Sequence, residues 1–401
     1  MEKEQALTGM KVLDLTHHVA GPYCTKLLGD YGAEVVKIER PGPGDPARRM
    51  SAFYEDQPDP ERNGLFLHLN TNKKSVTLNL KSVTGVKIFK QLVGWADIIV
   101  ENFSPRVMPG LGLGYEVLAA INPEVIMTSI SNFGHTGPYR DYRATDLVEY
   151  AMGGLMSIMG DSDRAPLKHY GFQAQYQAGL FGVVGTMTAW HCRHLTGQGQ
   201  HVDVSIMESV MHMLEGVLTS YCYSGHVRKR MGNRRAGAHP FTVLPCKDGH
   251  VAVSALDRQW ENVAAFTGLS QLIEDPRFQT TTARSEHADE TDAALAPWLM
   301  AHGKEEIYTF AQEWRVPFGL VPRVNELIEL RQLQAREFFV EMEHPITGQL
   351  TYPGAPFKMS ESAWRLRRPA PLLGEDNEDV FCGLLGYALG DLIRLRQRGV
   401  I

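Results

Sequence analysis

The chain is expected to be an α/β protein built on a parallel sheet, and three observations point there. Up to about residue 130, short β-branched runs alternate with amphipathic stretches, the pattern of parallel strands covered by crossover helices. The first such unit closes on Gly32, a helix-stopping residue set between two apolar runs. The length of 401 residues gives room for two domains.

The apolar runs predict strands at Lys11 to Leu15, Val35 to Ile38, Ser75 to Leu80, Ile98 to Glu101 and Val125 to Ser131. Between the first two, a helix is expected over about Pro22 to Tyr31, with Pro22 tolerated in its first turn. The loop before it, Thr16-His17-His18-Val19-Ala20-Gly21-Pro22, carries no G-x-G-x-x-G, so a nicotinamide-dinucleotide fingerprint is absent. From Ala178 to Leu195 the pattern is helical, and Gly179, Gly182 and Gly185 at spacing three imply tight packing against another backbone. A strand at His201 to Ile206 follows, then an amphipathic stretch to about Tyr223. The basic segment Arg228-Lys229-Arg230-Met231-Gly232-Asn233-Arg234-Arg235 marks the passage into a second region. That region opens with strands around Val243 to Leu244 and His250 to Ser254, continues as helices with a turn at Asp275-Pro276, and gives way to a turn-rich tail.

Composition narrows the function classes. Hydrophobic residues make up 43% and charged residues 21%, ordinary for a globular protein. No run approaches the ~18 apolar residues of a membrane span, so no membrane association is expected. The charged start Met1-Glu2-Lys3-Glu4-Gln5 lacks the apolar core of a signal peptide, which makes the cytoplasm the expected location. A net charge of −6 gives no general attraction for nucleic acid, so an anionic ligand must be held locally. Five scattered cysteines without C-x-x-C spacing predict reduced thiols and no metal site.

The order of short motifs resembles one family. Val12-Leu13-Asp14-Leu15, Ala20-Gly21-Pro22, then Gly32-Ala33-Glu34-Val35-Val36-Lys37-Ile38-Glu39-Arg40-Pro41 with Gly44-Asp45 open the series. Asn72-Lys73-Lys74-Ser75, Glu101-Asn102-Phe103, Gly112-Leu113-Gly114-Tyr115, Phe133-Gly134 with Thr136-Gly137-Pro138, and Asp146-Leu147 continue it. Thr196-Gly197 with Gly199-Gln200, Ala355-Pro356-Phe357 and Pro371-Leu372-Leu373-Gly374-Glu375 extend it nearly to the end. In this order they resemble the class III (CaiB/BaiF-type) coenzyme A transferases.

The resemblance implies a Rossmann-like large domain with a parallel sheet, a smaller central α+β domain, and an interlocked dimer. It places the first part of the large domain at 1–225, the small domain at 226–325, and a return segment at 326–401. It implies that coenzyme A or acyl-CoA binds as substrate, with no permanently bound cofactor, and that an organic acid is the second substrate. The positions that fall where the family contacts CoA are Val19, Ala20, Arg40, Leu78, Lys81, Asn102, Phe103 and Arg106, with Lys73 and Lys74 as further cations near strand ends. CoA carries phosphates and an apolar arm, so cationic side chains and backbone N–H groups beside apolar surface suit it. His17 and His18 flank the same loop, as structural histidines or as phosphate donors. His239, in Gly237-Ala238-His239-Pro240, falls near a loop that in relatives covers the reacting carbonyl, and is a candidate substrate contact.

One departure bears on mechanism. The family reaction uses an aspartate carboxylate that attacks the thioester, and that position falls here on Gln175, whose amide cannot form an acyl bond. No Asp or Glu lies between Asp163 and Asp203. The related racemases place a histidine just before Asp146, where this chain has Thr145. Three explanations stay open: Asp146 or another carboxylate supplies the chemistry; the chain works in a heteromer with an Asp-containing paralogous subunit; or Gln175 donates to the thioester oxygen during direct attack by the acceptor. The competing functions are a transferase moving CoA from a donor such as succinyl-CoA, acting as a homodimer or heteromer, a silent CoA-binding subunit, and an acyl-CoA isomerase, lyase or racemase-like enzyme.

Overall fold

The structure is a computed structural model that describes residues 4–50, 52–235 and 237–401. Six strands form its main sheet: β1 (Lys11–Asp14), β2 (Glu34–Glu39), β3 (Lys73–Thr77), β4 (Ile98–Glu101), β5 (Ile126–Ser131) and β6 (His201–Ser205). Their order is β3-β2-β1-β4-β5-β6, and each neighbouring pair is parallel. β4 and β5 are buried along their whole length, as strands covered on both faces must be. The order reverses between β1 and β4, and in such sheets the crevice beyond the carboxyl ends at that reversal is where ligands bind.

Local chemistry fixes the covering helices. The first crossover helix, Ala20–Asp30, ends at Tyr31, and Gly32 follows with φ 115°. The helix Val83–Trp95 is capped by Ser82, whose hydroxyl accepts from the Gly85 N–H, and it packs Ile88, Phe89, Leu92 and Val93 into the core. The long helix Gln173–Thr196 begins five residues before the predicted start and stops at Gly197, left-handed at φ 71°. A Cβ on Gly179 would stand 2.6 Å from the Ala20 carbonyl oxygen, so glycine is what lets this helix lie against the first one.

β3 starts at Lys73 rather than Ser75 and ends at Thr77. Leu78 still donates to Glu39, but the Asn79 N–H turns to the Val400 carbonyl and leaves the ladder. The exposed edge of β3 is closed by the end of the chain. Asp376 accepts from the Ser75 N–H at 2.7 Å, and Asn377 accepts from the Thr77 N–H at 2.8 Å. Fully buried Arg48 adds a second tie, forking onto Glu39 and donating to the Pro371 carbonyl at 3.1 Å.

The chain forms two compact units. One comprises the residues up to Leu155, His169–Gly216 and Gln334–Ile401; the other comprises Met156–Lys168 and Val217–Leu333. The amphipathic stretch expected to run to Tyr223 is broken at Glu215 (φ 52°, ψ −129°), next to the boundary. The second unit has its own core around Trp260, Val263, Leu272, Leu295 and Ile307. It carries the antiparallel strands Phe241–Cys246 and Gly249–Ser254, followed by helices. The basic run lies inside this unit, where Arg230 donates to the Arg164 carbonyl and Arg234 pairs with Asp289 and Asp292. Among the described residues, no helix is long and apolar enough to cross a membrane.

Candidate active site

The loop after β1 is held from below by a buried ionic network. Asp14 takes the Thr16 N–H and hydroxyl on one oxygen, and the Thr25 hydroxyl and the Lys73 ammonium on the other, the last at 3.0 Å. Lys37 reaches Asp45 at 2.9 Å and the Thr16 carbonyl at 2.8 Å. Asp45 in turn accepts from the His18 N–H. Burial alone would raise the Asp14 carboxyl, but Lys37, Lys73 and the two hydroxyls override it and hold it well below the usual carboxylate range. Lys73 is driven down to about 8 by burial despite Asp14. Lys73 therefore supports the loop from inside and is not a surface cation. Lys74 pairs with Glu34 and Asp379 at the sheet edge.

From the other side of the reversal, Asn102 locks the same loop. Its Oδ1 accepts from the His17 N–H at 2.7 Å, and its Nδ2 donates to the His17 carbonyl at 2.8 Å. Phe103 meets the His17 ring edge-on at 5.1 Å. Burial takes His17 down to about 4, so its ring is neutral near pH 7 and serves as packing and not as a cation. Val19 and Ala20 are buried at the start of the Ala20–Asp30 helix, whose first turn has no side-chain cap. Arg40 and Lys81 are exposed beyond β2 and β3, and Leu78 is buried between them in sequence. Arg106 forks onto Asp141 at 2.6 and 2.7 Å, which holds it in one place at the surface.

The second cluster stands at the start of the long helix. Asp146 lies in the first turn of the short helix Asp146–Met152, and its Oδ1 is 3.4 Å from the Gln175 N–H in the first turn of Gln173–Thr196. Three residues on, and so on the same face, is Glu149. Its Oε2 accepts from Gln175 Nε2 at 2.7 Å. Asn132, with its amide nitrogen turned to the carboxyl, donates to Oε1 at 2.9 Å and accepts from the Ala144 N–H at 3.1 Å. Glu149 is fully buried, Asp146 nearly so, and Gln175 half-buried. Burial pushes the Glu149 carboxyl up to about 7; the Gln175 bond pulls it back in part, and the Asp146 charge adds to the rise.

Position 175 thus holds an amide, and a carboxyl lies one hydrogen bond away. This carboxyl comes from 26 residues upstream, outside the stretch between Asp163 and Asp203 that holds no Asp or Glu. Its spacing from Asp146 within one helical segment was the available signal. His239 lies in the smaller unit, 1% exposed, with Nε2 2.9 Å from Asp292 and its carbonyl accepting from Arg284.

A parallel sheet in this strand order, with a braced loop at the reversal and a buried carboxyl–amide pair at the start of the helix that packs on Ala20, gives an α/β protein of the Rossmann-like class. Residues 7–377 match the CoA-transferase family III. Over 398 residues the chain is 34% identical to the succinyl-CoA–D-citramalate CoA-transferase of Chloroflexus aurantiacus, covering 98% of each. It is 34% identical over 414 residues to a formyl-CoA:oxalate CoA-transferase of Streptomyces coelicolor, covering 99% of each. A crystal structure of a CaiB/BaiF family protein from Brucella suis superposes with a TM-score of 0.87 at 29% identity, over 95% of this chain and all of that one. The chain belongs to CoA-transferase family III, and it is a CoA transferase whose substrates are CoA thioesters and organic acids, with no permanently bound cofactor.

Proposed function

We propose that this transferase moves CoA from an acyl-CoA donor such as succinyl-CoA to an organic carboxylic acid, in the cytoplasm. CoA sits at the reversal of the strand order, in the large domain. Val19 and Ala20 present uncapped N–H groups to its phosphates, Arg40, Lys81 and Arg106 supply charge, and Leu78 and Phe103 offer apolar surface. Asn102 is a positioning residue that fixes the main chain of this loop. Asp146 steadies the start of the helix that carries Gln175. His239, tied to Asp292 and Arg284 within the smaller domain, is the candidate substrate contact. The observation that carries the reading is the pair of hydrogen bonds between Asn102 and the His17 main chain, which joins the two loops on either side of the reversal into one rim. Succinyl-CoA as donor is supported by the relative from Chloroflexus aurantiacus.

The test is to incubate the purified chain with succinyl-CoA and a panel of dicarboxylic and hydroxy acids, and to follow new thioesters by mass spectrometry. A new acyl-CoA with at least one acid is expected. Hydrolysis alone, or an acyl group altered without any acceptor, would sink it. A second reading is favoured by Gln175: a CoA-binding subunit in a heteromer whose Asp-containing partner does the chemistry. That reading requires CoA binding by the isolated chain without transfer, and transfer on adding the partner. A homodimer active by itself excludes it.

A further inference from the structure

We infer that Glu149 is the acyl-accepting carboxylate of this transferase, and that Gln175 is its positioning partner. The inference rests on the transferase reading above and deepens it. The side chain at position 175 ends 2.7 Å from Glu149 Oε2. The carboxylate that double displacement needs is therefore relocated by one hydrogen bond, from the long helix to the short helix Asp146–Met152.

The local geometry suits the task. Each oxygen of Glu149 takes one amide N–H, from Gln175 and from Asn132, and these two donors fix the plane of the carboxyl. Neither donor carries a full charge, so the carboxylate keeps its basicity; burial and the neighbouring Asp146 raise that basicity further. Glu149 is fully buried, whereas Gln175 above it is half-buried on the first turn of its helix. Rotation of the Gln175 side chain breaks one neutral-donor hydrogen bond and bares Oε2, so the amide serves as a cover over the reacting oxygen.

The chemistry closes without any further reagent. Glu149 Oε2 attacks the thioester carbonyl of the donor; a C–O bond forms, the C–S bond breaks, and CoA leaves as thiolate with its electron pair. The thiolate attacks the glutamyl carbonyl of the mixed anhydride, forming a glutamyl-CoA thioester and releasing the donor acid as carboxylate. The acceptor carboxylate repeats the sequence in reverse, leaving acceptor-CoA and a free Glu149 carboxylate. No net proton or electron is gained or lost.

The test traps the intermediate on the unaltered chain. The protein is incubated with succinyl-CoA, formyl-CoA or glutaryl-CoA, reduced with borohydride and digested. A glutamyl-CoA thioester becomes an alcohol, and the peptide containing Glu149 is expected to lose one oxygen and gain two hydrogens. In parallel, exchange of labelled acid into its acyl-CoA is measured for Glu149→Gln, where a loss on the order of 10³-fold or more is expected, the scale of removing a covalent nucleophile. The double variant E149Q/Q175D is expected to regain exchange, with the reduced residue then at position 175.

Exchange with no reduced residue, a reduced residue elsewhere in the chain, or exchange in Glu149→Gln within tenfold of the parent each overturns the inference while leaving the transferase reading intact. No exchange at all by the parent chain removes both. The trapping arm needs no variant, so it decides the question even if Glu149→Gln does not fold.

Discussion

Asn102 commits both ends of its amide to the main chain of His17, so its removal leaves a part-buried N–H and carbonyl without their partners together. Asn102→Ala is expected to lower stability by about 1–3 kcal/mol and to raise the KM for the CoA thioester roughly tenfold with a smaller change in kcat. Steady-state kinetics read both, and an unchanged KM would remove Asn102 from the rim. Asp14 stands between two buried ammonium groups. Asp14→Asn leaves Lys37 and Lys73 undercompensated and is expected to cost about 3–5 kcal/mol in denaturant unfolding.

Glu149 carries the pH dependence. Its folded value, about 7, lies above the ordinary 4.5, so between those limits the native state holds the proton more tightly than the unfolded chain does. Its contribution to stability is therefore full below pH about 4.5 and is lost as pH rises to about 7, a span on the order of 3 kcal/mol. The Glu149→Gln protein should gain stability relative to the parent from pH 5 to pH 8 in parallel urea melts. Transfer in the parent should climb across the same interval as the carboxylate forms, and a flat profile would contradict the role given to it. At this scale the sequence was half legible. Asn102 and Arg40 were named from the sequence, and the structure places the first against the His17 main chain and the second on the surface beyond β2. Glu149 was not, because a carboxyl that enters a site from another helix has no signature in the segment being searched.

Among elements, the long helix Gln173–Thr196 shows how packing was written in glycine spacing. At Gly179 an added Cβ meets a main-chain oxygen of the first helix at 2.6 Å, while at Gly185 it meets a Val202 methyl at 2.8 Å. A side-chain methyl can move aside and a helix backbone cannot do so cheaply. Gly179→Ala is accordingly expected to destabilise by about 1–3 kcal/mol and to displace Ala20, weakening CoA binding. Gly185→Ala should cost less and leave binding alone. Thermal melts with and without CoA separate the two, and equal effects would show that the helix contact does not set the loop. The strands β1, β2, β4 and β5 were legible from their apolar runs. The ends of β3 were not, since the Asn79 N–H leaves the sheet for a partner more than three hundred residues away. The break at Glu215 was equally hidden, because a run that is amphipathic throughout does not reveal a residue with positive φ.

Across the whole molecule, the large unit is assembled from three separated stretches of chain. Arg48 is one of the rivets, buried against Glu39 and Glu61 and reaching Pro371. Arg48→Met is expected to loosen the last stretch selectively, seen as faster amide exchange at Ser75 and Thr77, whose partners are Asp376 and Asn377. Unchanged protection there would mean that those two carboxamide and carboxylate contacts hold the edge by themselves. The resemblance to family III was readable along most of the chain and was confirmed by the match over residues 7–377. The long-range closure of β3 was not readable, since nothing in a local pattern announces that an edge strand waits for a distant tail.

That closure has a consequence for biosynthesis. As the polypeptide leaves the ribosome, both stretches of the smaller unit, Met156–Lys168 and Val217–Leu333, have been made before Asp376 is, and β3 has no cover until Asp376 and Asn377 have cleared the exit tunnel. The nascent molecule therefore passes through a stage with an open-edged sheet, and a product that stops short of Asp376 would be prone to strand-edge aggregation and would not be a shortened transferase.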